Sequence, residues 1–239
     1  MTSSFRAGAG ALAAAGIVAI AAWHGQGRAA EKAVVIAAPL ADEPATGART
    51  ETATFAGGCF WGVQGVFQHL RGVSNAVAGY AGGKAATAHY RMVGSGDTGH
   101  AEAVQVSFDP AQISYGKLLQ VFFSVAHDPT ELNRQGPDSG SQYRSAVFPQ
   151  SPAQRKVAEK YIAQLNAAHV FRAPLATTIE ANSGFYAAES YHQNYLALHP
   201  NEPYIAINDM PKVENLKRIA PALYRADPVL VRMAFPGQP

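Results

Sequence analysis

A single cysteine, Cys59, stands in Gly57-Gly58-Cys59-Phe60-Trp61-Gly62, in a chain of 239 residues. Upstream, Thr52 to Ala56 is β-prone; downstream, Val63, Val66, Phe67 and Leu70 recur on one helical face. Cys59 is therefore expected at a helix N-terminus, where unpaired N–H groups and roughly half a positive charge of macrodipole favour an anion. Such positions bring a cysteine pKa of about 8.5 down into the range of roughly 3.5 to 7.5, so the spacing predicts a stabilised thiolate nucleophile. The competing reading is a buried structural cysteine beside glycines that mark a tight turn.

A second reactive group follows from alternation. In Glu102-Ala103-Val104-Gln105-Val106-Ser107-Phe108 the period of two puts Glu102 on the face of Val104, Val106 and Phe108. Desolvation there raises a carboxyl pKa above its usual value of about 4.3 and leaves a protonated acid, unless Glu102 sits at a frayed, wet strand end. Thr130 to Tyr143 has no sustained period, and a long loop in a compact domain is more often functional than idle; it carries Asp138, Gln142 and Tyr143. One cysteine excludes an internal disulfide and any multi-thiolate zinc site, and His192 and His199 lack the i, i+4 spacing of paired helical ligands. No metal and no cofactor is expected. A formal charge of +2 without a basic block gives no reason to invoke nucleic acid.

Those residues need a scaffold. Arg6 followed by the Ala/Gly-rich apolar run from Ala7 to Trp23 resembles a secretory signal, so residues 1–30 are expected to direct export, to the periplasm, or to remain as an N-terminal anchor. Ala19-Ile20-Ala21 and Gly27-Arg28-Ala29 both suit cleavage. Residues 31–51 mix alanine, proline and charge without periodicity and read as a flexible linker. Residues 52–235 read as one domain of mixed strands and helices: strands at Thr52–Ala56, Val73–Ala78, Glu102–Phe108, Ser145–Phe148 and Leu175–Ala181; helices capped by Ser114, started by Ser151-Pro152, over Phe185–His199 and over Pro211–Tyr224.

Five blocks then carry a family resemblance: Gly57 to Gly62; Gly79-Tyr80-Ala81-Gly82-Gly83; Thr98-Gly99-His100-Ala101-Glu102; Asp138 to Ser145 with Tyr143; and Tyr191-His192-Gln193-Asn194-Tyr195-Leu196. In that order the chain resembles the A-type peptide methionine sulfoxide reductases over about residues 52–225. The resemblance implies an α+β fold, a single-domain α/β roll with a mixed, largely antiparallel sheet, flanking helices and a ferredoxin-like core. It implies as substrate the S epimer of methionine sulfoxide, free or in proteins. By position, Cys59 attacks the sulfoxide sulfur, Phe60 and Trp61 hold the methyl group, Glu102 supplies the proton, Tyr90 and Tyr143 hydrogen-bond the oxygen and Asp138 orders the site.

Two departures bear on the second half of the cycle. Gly94 occupies a position where many relatives carry a recycling cysteine, and Thr87-Ala88-His89-Tyr90 replaces a frequent Asn-Pro-Thr-Tyr run while keeping the phenol. With one thiol in the sequence, an external thiol is expected to recycle Cys59, whether a thioredoxin-like or glutaredoxin-like protein or a small thiol, acting on a monomer. Two other classes remain open at this point: a cysteine hydrolase or acyltransferase with His100 as base, and an exported sulfoxide-binding domain without turnover.

Overall fold

The computed structural model describes Met1, residues 32–44 and residues 47–231. Apart from Met1, the signal or anchor expected in 1–30 lies outside the described residues, as does the tail from 232. Among the described residues eight strands form: β1 (Glu51–Gly57), β2 (Val73–Ala81), β3 (Ala101–Phe108), β4 (Arg134–Gln135), β5 (Asp138–Ser139), β6 (Ser145–Phe148), β7 (Thr178–Ile179) and β8 (Phe185–Ala187). Six of them build one sheet in the order β7-β6-β1-β3-β2-β8, while β4 and β5 make a separate ribbon. All neighbours in the large sheet are antiparallel except β6 and β7. The mixed, largely antiparallel α/β architecture implied by the resemblance is the one observed.

Alternation along β3 gives the sheet two different faces. Val104, Val106 and Phe108 join the main core, whereas Ala101 and Ala103 join Ala56, Ala81, Ala146 and Phe148 in a second, small-residue cluster. Helices cover the first face: α1 (Phe60–Gln68), α2 (Tyr90–Val93), α3 (Tyr115–Val121), α4 (Pro152–Ala167), α5 (Tyr195–Leu198) and α6 (Met210–Ile219). Phe55 of β1 lies 5.1 Å, ring to ring, from both Phe67 of α1 and Phe122, which follows α3. Each buried ring of this kind contributes roughly 1.5 to 3 kcal/mol of hydrophobic free energy, so the seam between β1 and α1 is a rigid mount for whatever lies at the start of α1. Ser114 and Ser151 cap α3 and α4 by accepting from the N–H groups of Lys117 and Gln154, and Pro152 opens α4.

The segment read as a flexible linker is different over residues 32–44, which lie as an extended strap across the helical layer. Val34 N–H donates to the Ser124 carbonyl, Gln120 and Tyr161 donate to the carbonyls of Ile36 and Ala37, and Asp42 accepts from Ser114 Oγ and from Gly116 N–H. A strap held by its own backbone needs no apolar period, so composition does not reveal it.

Phe185–His199 is likewise not one helix. Its first residues pair with β2 as an edge strand, and Gln193 accepts from Ala78 N–H and donates to the Ala78 carbonyl, continuing the ladder with a side chain. Only Thr178–Ile179 of the strand expected at Leu175–Ala181 pairs with the sheet. The aperiodic loop 130–143 contains the β4–β5 ribbon, fixed by Gln135, whose amide bonds Asp128 N–H and C=O at 3.0 and 2.7 Å, and by Glu131, which accepts from Arg134 and Gly136.

Candidate active site

At the end of β1 the chain turns through Gly58, whose φ of +87° suits glycine. A Cβ there would fall 2.6 Å from Gln135 Cβ, so this turn is pressed against the Gln135 side chain of β4 as well as bent. Cys59 then occupies the N-cap position of α1, and its side chain caps nothing. The carboxyl group that serves the helix start comes from another strand: Phe60 N–H donates to Glu102 Oε2 at 3.0 Å. The unpaired N–H groups of a helix N-terminus need acceptors, and here the acceptor is a carboxyl oxygen, whose contact brings Glu102 to Cys59.

Both groups are held out of water, Cys59 at 8% and Glu102 at 4% exposure. Burial pushes the Glu102 carboxyl up to about 8, further raised by the charges of Asp138 and Asp209 and opposed by the Phe60 N–H. The oxygen Oε2 accepts that bond, which leaves Oε1 for the proton. Glu102 is thus a carboxylic acid, not a carboxylate, at neutral pH.

Cys59 differs from the sequence expectation of a stabilised thiolate. Burial, Asp209 and Glu102 push its thiol well above the ordinary range, while the Trp61 N–H and Lys212 pull the other way. The helix start does act in the direction predicted, through the N–H, but it is buried and lined by acids, and desolvation outweighs about half a unit charge. The resting site therefore holds a thiol beside a protonated acid.

Phenols surround this pair. Tyr90 and Tyr143 are half-buried; burial and the charges of Glu102 and Cys59 raise both, with Asp138 adding to each. Both hydroxyls consequently keep their protons as hydrogen-bond donors. Tyr90 is fixed by its N–H, which donates to Glu189 Oε1 at 3.0 Å, and by its ring, 4.3 Å from that of His192. Glu189 also accepts from Tyr80 Oη, and Tyr80 lies opposite Glu102 in the β2–β3 register. Asp138, on β5, accepts a hydrogen bond from Tyr204 Oη, which ties the ribbon to the segment before α6.

The aromatic pair after Cys59 divides its tasks. Phe60 is 1% exposed and packs on His192 and Tyr80, whereas Trp61 is only partly buried. Trp61 stacks on Tyr195 at 3.9 Å, meets Tyr204 edge-on at 6.0 Å and donates from Nε1 to His192 Nδ1 at 3.2 Å. Every residue picked from the sequence, namely Cys59, Phe60, Trp61, Tyr90, Glu102, Asp138 and Tyr143, falls into this one neighbourhood. Sequence reasoning assigned no role to Glu189, His192, Tyr195 or Tyr204. The block from Tyr191 to Leu196 signalled the middle two, but nothing local marked Tyr204.

His100, the alternative base, is occupied elsewhere. Its Nδ1 accepts from Gly83 N–H at 3.2 Å, and its Nε2 contacts the Lys84 carbonyl at 3.0 Å, so the ring fastens a turn and does not serve Cys59. Among the described residues no cluster of three His, Cys, Asp or Glu could hold a metal ion.

This geometry has relatives. The family model described as peptide methionine sulfoxide reductase matches residues 51–222. The chain is 59% identical over 185 residues to peptide methionine sulfoxide reductase MsrA 2 of Mesorhizobium japonicum, covering 77% of this chain and 95% of that relative. It is 52% identical over 172 residues to MsrA of Deinococcus radiodurans, covering 72% and 83%. Among solved structures it resembles reduced Mxr1 of Saccharomyces cerevisiae, with TM-score 0.58, 34% identity and coverage of 67% of this chain and 91% of that one. It also resembles methionine sulfoxide reductase A of Corynebacterium diphtheriae, with TM-score 0.55, 33% identity and coverage of 74% and 91%. Sequence, sheet topology and the grouping of Cys59 with Glu102 agree: the chain belongs to the peptide methionine sulfoxide reductase family and is an oxidoreductase that reduces methionine sulfoxide.

Proposed function

We propose that Cys59 is the nucleophile and Glu102 the proton donor in reduction of the S epimer of methionine sulfoxide, with Tyr90 and Tyr143 donating hydrogen bonds to the sulfoxide oxygen. Phe60 and Trp61 receive the methyl group, and Asp138 holds the β4–β5 ribbon in place through Tyr204. The observation that carries this reading is the Phe60–Glu102 hydrogen bond, which places a protonated carboxyl at the helix start that bears the thiol. As sulfur attacks sulfur, the S–O bond breaks only if its oxygen gains a proton, and an acid with a pKa near the working pH supplies it best. The attack joins Cys59 sulfur to the substrate sulfur as the oxygen, carrying one proton from Glu102 and one from the thiol, leaves as water; that water then attacks the Cys59 sulfur, breaks the sulfur–sulfur bond, releases the thioether and returns a proton to Glu102, leaving a sulfenic acid on Cys59.

The sequence holds one cysteine, so the return half of the cycle goes to an outside thiol. One reductant thiol displaces water from the sulfenic acid to give a mixed disulfide; a second attacks the reductant's sulfur and releases Cys59. A thioredoxin-like or glutaredoxin-like protein or a small thiol fills this role on a monomeric reductase, exported or anchored through residues 1–30. With no thiol added, mixing enzyme and S-sulfoxide should release one methionine per chain and leave a sulfenic acid that dimedone labels at Cys59. Dithiothreitol should convert that single burst into steady turnover. A burst above one equivalent, or an acyl adduct at Cys59, would overturn the scheme.

Trp61 gives a separate test of the pocket. Trp61→Ala removes the ring stacked on Tyr195 and the wall of the methyl site, a loss of about 1.4 kcal/mol or more for an aromatic contact of this kind, or about tenfold. The loss should appear mainly in KM for the sulfoxide, with kcat changed less, in steady-state assays with dithiothreitol.

A further inference from the structure

Gly62, in the first turn of α1, faces a buried ion pair. A Cβ on Gly62 would lie 2.1 Å from Asp209 Oδ1 and 3.0 Å from Lys212 Nζ, so the missing side chain lets the pair press on the helix that carries Cys59. Asp209 is 0% and Lys212 5% exposed, and Lys212 Nζ donates to Asp209 Oδ1 at 3.1 Å. Asp209 Oδ2 is buried with no hydrogen-bond partner among the described residues, so the ammonium answers only one of its two oxygens. A buried acid left half-compensated acts on its neighbours through a low-dielectric medium. Burial, Asp138 and Glu202 raise the Asp209 carboxyl itself while Lys212 opposes them, and in its charged form Asp209 disfavours ionisation of Cys59, Glu102 and Tyr204 alike.

We propose that Asp209, buried against Gly62 and Lys212 at the first turn of the helix that bears Cys59, is a positioning residue that guards the lone Cys59 against over-oxidation. The need is chemical. A peroxide oxidises the sulfenic acid further, Cys–SOH plus H2O2 giving Cys–SO2H plus water, and susceptibility on this ladder follows anionic character and exposure. A chain with one cysteine has no internal thiol to trap the sulfenic acid first, so that intermediate waits for an outside partner. This inference rests on the proposed sulfenic acid at Cys59. The same charge helps to hold the proton on Glu102, which serves the forward step. Besides Asp209 and Lys212, the groups near Cys59 are Glu102 on β3, Tyr90 on α2, Asp138 and Tyr143 of the 130–144 region, and Tyr204 before α6, all left intact in the test.

The test is Asp209→Asn, nearly isosteric, with Asp209→Asn/Lys212→Gln as companion. The pH profile of Cys59 alkylation by iodoacetamide reads the resting thiol without any turnover. Removing the acid alone leaves the Lys212 ammonium in place without that carboxylate, so the Cys59 midpoint should fall furthest, with about tenfold faster alkylation at neutral pH. The double variant, with neither charge, should lie between it and the native protein. Intact mass after one turnover with sulfoxide, then exposure to hydrogen peroxide, should show sulfinic acid accumulating several-fold faster in Asp209→Asn. A profile unmoved in both variants, or moved at least as far in the double as in the single, would overturn the proposal in favour of a packing role. If Asp209→Asn does not fold, the double variant decides it, since its midpoint must still lie below the native one. Normal alkylation shifts without any sulfenic acid would instead count against the sulfenic acid scheme alone.

Discussion

Cys59→Ser is expected to abolish methionine sulfoxide reduction, lowering kcat/KM by more than about ten-thousandfold, the scale seen when a covalent nucleophile is lost. The sequence has no second thiol to substitute, and a serine hydroxyl neither attacks sulfur at comparable rates nor ends as a reducible S–O adduct. The substitution is conservative for the fold. Cys59 contributes no side-chain cap to α1, whose start is served by Glu102, so thermal melting should change by little. Binding should also survive, because the proposed pocket belongs to Phe60, Trp61, Tyr90 and Tyr143. A sulfoxide-dependent change in Trp61 fluorescence with no methionine release would complete the case. Full turnover by Cys59→Ser would place the chemistry elsewhere.

What the sequence discloses about this site follows from the range of the interactions. The position of Cys59 at a helix start and the inward aim of Glu102 are local facts, written in a switch from strand to helix period and in one alternating strand. Both are found in the structure. The charge state of Cys59 is not local. It depends on burial, on Glu102 from β3 and on Asp209 and Lys212 from far along the chain, and these reverse the effect of the helix N-terminus. The aromatic surround of Trp61 is likewise assembled from His192, Tyr195 and Tyr204, which no period connects to Gly57–Gly62.

The same distinction accounts for the elements. Helices with caps and apolar faces, α3 and α4 among them, are legible. The strap over 32–44, the edge strand β8 and the β4–β5 ribbon are not, because hydrogen bonds to distant backbone hold them and leave no pattern in their own residues. Gln193 shows why a sequence block can mark a family without marking chemistry. It also bonds Gln64 of α1 and the Ala188 carbonyl, so it fastens α1, β2 and the β8 segment and through them fixes the helix start.

Glu102→Gln carries the second large effect and separates acid catalysis from mere placement. The amide retains an acceptor for Phe60 N–H, so Cys59 should stay where it is, but it has no proton to give. Activity at neutral pH should fall by about a hundredfold to ten-thousandfold, the usual contribution of a positioned general acid. In the native enzyme the working form is the protonated acid, so activity should decline as pH rises through about 8, and that limb should vanish in the variant. The small residual activity should rise steadily toward low pH, where solvent supplies the proton, with no midpoint near 8. Stability offers an independent reading of the same group. Because the folded pKa is raised above the unfolded value of about 4.3, the folded state binds the extra proton between the two, and stability should decrease as pH rises through that window. The variant should lose that slope, measured by denaturant unfolding at several pH values. If the decline in activity near pH 8 persisted in Glu102→Gln, the titrating group would be another, and Glu102 would be only the cap of α1.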